Sequence, residues 1–431
     1  MSRRTIPASA GQRLLWFMEH YRGHAGVLNC PLLLRLRGRL DPSALQAVIN
    51  QLTARHEALR TTFVGRGRNL AQVVHDPQPV AVGVVDLSSN IDPAAELRGS
   101  IAAELQTQIN PAVWPMRSTL WRKAPDDHVL CINLHHLVSD GWSCGVIFQE
   151  FLHLYDRVTG GSSVLPTIGW QYSTFIEWQA AAFQDETFRK HRDYWRRELE
   201  GASFPALPDQ SARTGSADAI GRDTAAIDSE VVAALREIAR VRRTTIFTVL
   251  LSIYYVLLLR LTARADLSIA SVFANRLRPE LQLTVGALAH MIVLRTRLRR
   301  AITFGDLLRE THATVTGAFL HQDVPYHMIG GVELDPESNR AEDLVFQMVA
   351  KPLSGRTVGG VDVHALEVDG MGQRFGFECA IFPIGDGFTV AVCYNEARID
   401  PVFAREFVSQ YARIASEVAS HPDARLRKVA A

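Results

Sequence analysis

The sequence predicts a mixed α/β fold in two halves of about 200 residues each. Three observations lead there. Strand-like runs alternate with helical apolar spacing along the whole chain. Asp-Pro pairs, each a cap followed by a first-turn proline, recur behind strand-like stretches at Asp41-Pro42, Asp92-Pro93 and Asp400-Pro401, in both halves. A length of 431 residues, 47% hydrophobic and 21% charged, suffices for two cores of ordinary soluble composition.

Taken in order, residues 32–36 read as a strand. They lead into the helix opened by Asp41-Pro42, where Leu45, Val48, Ile49 and Leu52 recur at helical spacing. Residues 61–64 and 70–74 flank Gly65-Arg66-Gly67, and residues 116–121 and 128–134 flank Ala124-Pro125-Asp126-Asp127; both are hairpin patterns. Residues 144–155 are helical, Gly160-Gly161-Ser162-Ser163 breaks the pattern, and residues 175–199 predict one long aromatic-rich helix. Residues 201–225, rich in Gly, Ala, Ser, Pro and Asp, predict an irregular crossover. Helices are expected over 231–240 and 245–261, with strands over 267–273 and 292–298. Thr303-Phe304-Gly305-Asp306 has the form of a capping box opening a helix to Phe319. Strands near 344–350, 361–367, 375–383 and 388–394 precede a last helix over 401–420.

A net charge of +1 offers no electrostatic ground for nucleic acid or a membrane surface as partner. The basic start Met1-Ser2-Arg3-Arg4 has no apolar run behind it, so it does not read as a signal peptide. The greasiest segment, residues 244–259, is shorter than the ~20 residues a membrane span wants and predicts a buried helix. Cys30, Cys131, Cys144, Cys379 and Cys393 form no C-x-x-C and read as buried thiols of a reducing cytoplasm. No P-loop is present, and Gly370-Met371-Gly372 through Gly376 misses the dinucleotide spacing by one residue, which argues against ATP and dinucleotides.

The chemistry concentrates where an apolar run ends in His135-His136-Leu137-Val138-Ser139-Asp140-Gly141-Trp142-Ser143. Neighbouring strand side chains point to opposite faces, so the two imidazoles cannot share a metal. One should face the core and the other a cavity. Asp140 stands where a helix N-cap belongs, and Gly141 allows close backbone approach. Gly141 to Gly145 also matches G-x-S-x-G, but an elbow serine should follow its strand directly, and no later Asp and His partners stand out.

The stretch His135 to Ser143 resembles the signature of condensation domains of nonribosomal peptide synthetases, in the chloramphenicol acetyltransferase-like superfamily. Ser9-Ala10-Gly11-Gln12-Arg13-Leu14-Leu15-Trp16 resembles the first motif of that family, and Arg55-His56-Glu57-Ala58-Leu59-Arg60-Thr61-Thr62-Phe63 the second. The fourth, at residues 172–178, has Thr174 where Asp is usual, and the fifth, at 285–295, has His290 where Asn is usual. His321-Gln322-Asp323-Val324-Pro325-Tyr326 is a good sixth, read as packing, and Leu344-Val345-Phe346-Gln347 a partial seventh.

The resemblance implies a V-shaped pseudo-dimer of acetyltransferase-like lobes with a central tunnel. Residues 1–175 would form the N-terminal lobe carrying the histidines, and residues 176–431 the C-terminal lobe with bridging segments. Since no adenylation or carrier motif is present, the expectation is a free-standing condensation enzyme of secondary-metabolite biosynthesis. No cofactor would be bound; the donor acyl group would arrive on the phosphopantetheine arm of a peptidyl carrier protein. The acceptor would be a small molecule or itself carrier-bound. His136 is then the catalytic residue, as positioner of the nucleophile, general base or oxyanion donor, with the Gly141 N–H as a second oxyanion donor. His135 and Asp140 would organise the site, Asp140 in a buried ion pair with Arg60. His290, Trp142 and Ser143 are candidates for lining the tunnel on the acceptor side. The departure at His290 leaves a hydroxyl acceptor, giving an ester, beside an amine, giving an amide. An acyl-coenzyme A-dependent acyltransferase of the same superfamily is the alternative.

Overall fold

Side-chain alternation along Asn29–Arg37 and Asp127–His135 gives the first sheet two unlike faces. Cys30, Leu32, Leu34, Leu36, Leu130, Ile132 and Leu134 share a core with helices Pro42–Arg55 and Gly141–Val158. Leu33, Val129, Cys131 and Trp121 face the other way, against Leu97 and Ile101 of helix Pro93–Gln106. A strand buried on both faces reads as a continuous apolar run, and residues 129–132 do so. Asp41 and Asp92 cap their helices, each accepting two backbone N–H bonds from the first turn ahead of a proline at the helix start.

In this computed structural model residues 4–22, 26–207, 219–297, 303–330, 340–349, 353–366 and 375–426 are described. They form two compact units. The first comprises Met1–Gln184, Ala274–Ala289 and Leu353–Gly372, and the second Asp185–Phe273, His290–Pro352 and Gln373–Ala431.

The first unit's six-stranded sheet runs, edge to edge, Arg356–Val358, Val361–Leu366, Asn29–Arg37, Asp127–His135, Met116–Ala124 and Val82–Asp86. All neighbours are antiparallel except the last pair. A late stretch of chain thus extends an early sheet: Val363 pairs with Leu36 and is fully buried. A three-stranded sheet joins Arg4–Pro7, Ala71–Val74 and Thr61–Val64, the last two forming the expected hairpin around Gly65. The second unit's sheet runs His290–Arg297, Asp266–Phe273, Val345–Met348, Phe377–Ile384, Gly387–Asn395 and Ile220–Ile227. Helix Ile246–Thr262 is buried almost all round, as expected of the greasiest segment. Among the described residues no single helix is long and apolar enough to cross a membrane.

Two expectations are corrected. The aromatic-rich stretch is two helices, Tyr172–Ala182 and Glu186–Leu199, not one. The apolar pattern carries on, but the ladder is interrupted: Gln184 N–H donates to Ala181 O in a turn, and Asp185 O accepts the first bond of the second helix. The crossover is not wholly irregular either, because Ile220–Ile227 is an edge strand paired with Gly387–Asn395. An edge strand buries few side chains, so its composition reads as a linker. Residues 208–218, Gly370-Met371-Gly372, and the ends of the strands expected at 292–298, 344–350 and 361–367 lie outside the described residues. The Thr303–Asp306 capping box is formed in both directions, opening helix Phe304–Leu320.

The late strand is integral to the first unit, so Val363→Asp should cost several kcal/mol by burying an unpaired carboxylate. A fall in the urea midpoint checks this.

Candidate active site

The site begins where the histidine strand Asp127–His135 ends. Alternation sends Leu134 to the helix-covered face and His135, fully buried, to the other. His135 Nδ1 accepts the N–H of Leu137 at 3.1 Å, so Nε2 holds the proton and donates to Glu19 Oε1 at 3.1 Å. Glu19 also accepts from Gln108 Nε2 at 2.9 Å. Burial works against the charge on Glu19, yet the hydrogen bonds from His135 and Gln108 hold its carboxyl below the ordinary value.

Gln12 stands two helical turns before Glu19 on helix Ala10–Arg22, on the same face. Its amide donates to Leu137 O at 2.8 Å and to Gln72 Oε1 at 3.0 Å. The His136 N–H donates to Leu28 O at 2.8 Å, and Ser139 Oγ to His135 O at 3.1 Å. The N–H groups of residues 135–138 are all anchored, and His136 itself is half-buried. His135 is thus the inward histidine and His136 the more open of the two.

Asp140 has extended backbone and caps helix Gly141–Val158 by accepting Ser143 N–H at 2.8 Å. Its carboxylate is buried and engaged on both oxygens. Oδ1 accepts from Ser143 N, Ser143 Oγ (2.8 Å) and Arg276 Nη2 (2.9 Å). Oδ2 accepts from Arg276 Nη1 (2.9 Å), Leu288 N (3.1 Å) and Ala289 N (2.9 Å). Burial pushes this carboxyl up, but the Arg276 charge and the converging N–H groups outweigh it and hold it below the ordinary value.

This corrects the expected partner. Arg276, not Arg60, forms the buried ion pair with Asp140. Arg60 ends a short 3₁₀ turn, and its guanidinium donates to the carbonyl of His75, whose N–H returns a bond to Arg60 O. That exchange ties Arg60 to the small sheet.

Segment Ala274–Ala289 wraps the start of the helix. Gly286 N donates to Ser143 Oγ at 3.1 Å, and Trp142 Nε1 donates to Gln282 O at 2.9 Å. A Cβ on Gly286 would come within 2.1 Å of the Tyr172 ring, so only glycine fits there. Tyr172 Oη in turn donates to Ala287 O at 3.1 Å and lies 3.0 Å from Ser9 Oγ. The first, fourth and fifth motifs meet at this point.

The structure thus brings His135, His136, Asp140, Gly141, Trp142 and Ser143 together. Ser143 is fully buried with its hydroxyl inside the Asp140 network, whereas Trp142 is 43% exposed. Gly141 is exposed, and a Cβ there would meet nothing within 4 Å. His290 belongs to the second unit, where its Nε2 donates to Gln322 O at 2.7 Å. Sequence reasoning missed Arg276 and Glu19. Arg276 lies in a loop, two residues from Arg278, with no local pattern to single it out; Glu19 could have been found from its two-turn spacing to Gln12. Among the described residues no three His, Cys, Asp or Glu side chains gather to hold a metal.

The Condensation domain family model matches residues 2–431. The chain belongs to the condensation-domain family. That family comprises acyltransferases that form amide bonds in nonribosomal peptide synthetases. This condensation domain is 34% identical over 354 residues to chondramide synthase cmdD of Chondromyces crocatus, covering 80% of this chain and 9% of that protein. It is 33% identical over 368 residues to cyclosporin synthetase simA of Tolypocladium inflatum, covering 84% of this chain and 2% of that protein. It therefore spans less than a tenth of the length of these two relatives. The X-domain from teicoplanin biosynthesis shares its fold, with a TM-score of 0.85 at 22% identity over 99% of this chain and 97% of that one.

Arg276→Ala should destabilise the condensation domain by about 3–5 kcal/mol, because it strands a buried carboxylate. Arg60→Ala should cost clearly less, and chemical denaturation of both compares them. Asp140 has a folded-state pKa below its unfolded value of 3.8, so its stabilisation is complete above that value and lost as pH falls below it. Asp140→Asn should flatten the acid limb of the stability–pH curve.

Proposed function

We propose that this condensation domain transfers an aminoacyl or peptidyl group from the phosphopantetheine thioester of a peptidyl carrier protein to an amine, with His136 at the reacting centre. The observation that carries this reading is the division of labour within the signature. His135, Asp140 and Ser143 are fully buried, while His136 between them is half-buried on the same turn.

A thioester is already activated, so attack by an amine needs alignment and proton handling rather than an enzyme nucleophile. Alignment can supply ~7–11 kcal/mol, against ~3–5 kcal/mol for general base catalysis. Rigid anchoring of the turn suits the larger contribution. His136 would orient the attacking nitrogen and accept its proton as the tetrahedral intermediate forms. The developing oxyanion would be met by the N–H of Gly141, at the positive end of a helix of 18 residues, where the absence of a side chain leaves room.

His136→Ala should fold with an unchanged melting temperature and lose ~10²–10⁴-fold in turnover, the usual contribution of a general base. Turnover near that of the parent with saturating donor carrier would remove His136 from the reaction.

The donor separates this reading from its alternative. The same acyl group is offered on a carrier protein, on pantetheine and on coenzyme A, with an amine and a hydroxyl acceptor in parallel. The carrier should be the best donor, because contacts with the carrier protein orient the thioester. A preference for coenzyme A would establish the acyl-coenzyme A-dependent alternative, and ester formation would replace the amine by an alcohol.

A further inference from the structure

Two thiols unused by this mechanism lie beside the histidine turn. Cys30 sits opposite Leu134 in the register of the central sheet, on the helix-covered face. Cys144 is on the first turn of helix Gly141–Val158 and packs against the same core. Their sulfurs are 3.6 Å apart. Cys30 is buried and Cys144 partly exposed.

Their neighbours give the pair its interest. Leu28, two residues before Cys30, accepts the His136 N–H at 2.8 Å. The N–H of Cys144 donates to Asp140 O at 3.1 Å, the first bond of the capped helix. The two thiols thus stand on the two elements that bracket the His136 turn. Burial raises the thiols of Cys131, Cys379 and Cys393, Cys393 to about 11.

We propose that Cys30 and Cys144 form a reversible disulfide site, closed by exchange with a glutathione-class disulfide. The more exposed Cys144 attacks as thiolate, forms a mixed disulfide and releases one glutathione thiol. Cys30 then attacks the Cys144 sulfur and displaces the second. The two cysteines give up two electrons and two protons, and the glutathione disulfide takes them up as two thiols. Closure brings the sulfurs from 3.6 Å to the ~2.0 Å of a disulfide, an approach shared between a strand and a first helical turn. A partly exposed cysteine with a buried thiol in contact is the arrangement of an attacking and a resolving pair. The product would clamp together the elements on either side of the His136 turn, making the site sensitive to thiol redox state.

The test is intact-mass analysis and peptide mapping of the full chain after incubation in glutathione disulfide and acid quench. The readout is independent of the acyl-transfer reading. The parent should lose two hydrogen atoms and yield one cross-linked peptide pair containing Cys30 and Cys144, both reversed by dithiothreitol. Cys30→Ser and Cys30→Ala, checked for parental circular dichroism, should stop with one glutathione on Cys144. Cys144→Ser should leave Cys30 unmodified. A parent that carries glutathione on Cys144 without ever closing, that stays unmodified, or that cross-links a different pair overturns the proposal.

Discussion

A buried carboxylate must find partners for both oxygens, and Asp140 does so only by recruiting chain from far away. Burial alone would favour its neutral form. The ionised form is held by a bidentate guanidinium and by backbone N–H groups from Leu288 and Ala289. A buried ion pair contributes little net stability once desolvation is counted. What this one specifies is position: segment Ala274–Ala289 must return to the first unit, and helix Gly141–Val158 must start where the carboxylate caps it.

The remaining motifs of the first unit follow the same logic at lower stakes. Gln12 and Glu19 hold the turn around His136 from one helix face. Arg55 and His56 of the second motif both donate to Glu150, on the helix that Asp140 caps. Burial opposes the Glu150 charge, and these two donors outweigh it. Glu57 accepts the Ser173 N–H at 2.6 Å, locking the start of the next helix. Most of the polar residues that make the family recognisable are thus structural couplings. Their exchange is costly because each leaves a buried group unpaired.

The second unit has its own polar seam. His321 of the sixth motif stacks on Tyr194, and its Nδ1 lies 2.7 Å from Nδ1 of His191, so one ring donates and the other accepts. Burial, then the charges of His191 and Arg197, keep His321 below the ordinary imidazole value, which favours the neutral form that pairing needs. The reading of this motif as packing fits that environment. His290 joins the seam through Gln322 O.

How much of this was legible beforehand depended on range. Caps, proline starts, the two hairpins and the capping box were readable because each is set by residues within a few positions of one another, as at Asp41-Pro42 and Thr303–Asp306. The inward placement of His135, the last residue of its strand, followed from strand alternation. Arg276 could not be read, since 136 positions separate it from Asp140 and no local pattern distinguishes it from the other arginines. The strand Val361–Leu366 was expected, but not its pairing with Asn29–Arg37. Which strand is its neighbour depends on register across the whole sheet rather than on its own residues. Local sequence therefore determined most of the elements and where the signature falls among them. The tertiary structure alone decided which distant charge neutralises Asp140 and which thiols meet, because both depend on contacts that form only when the chain closes on itself.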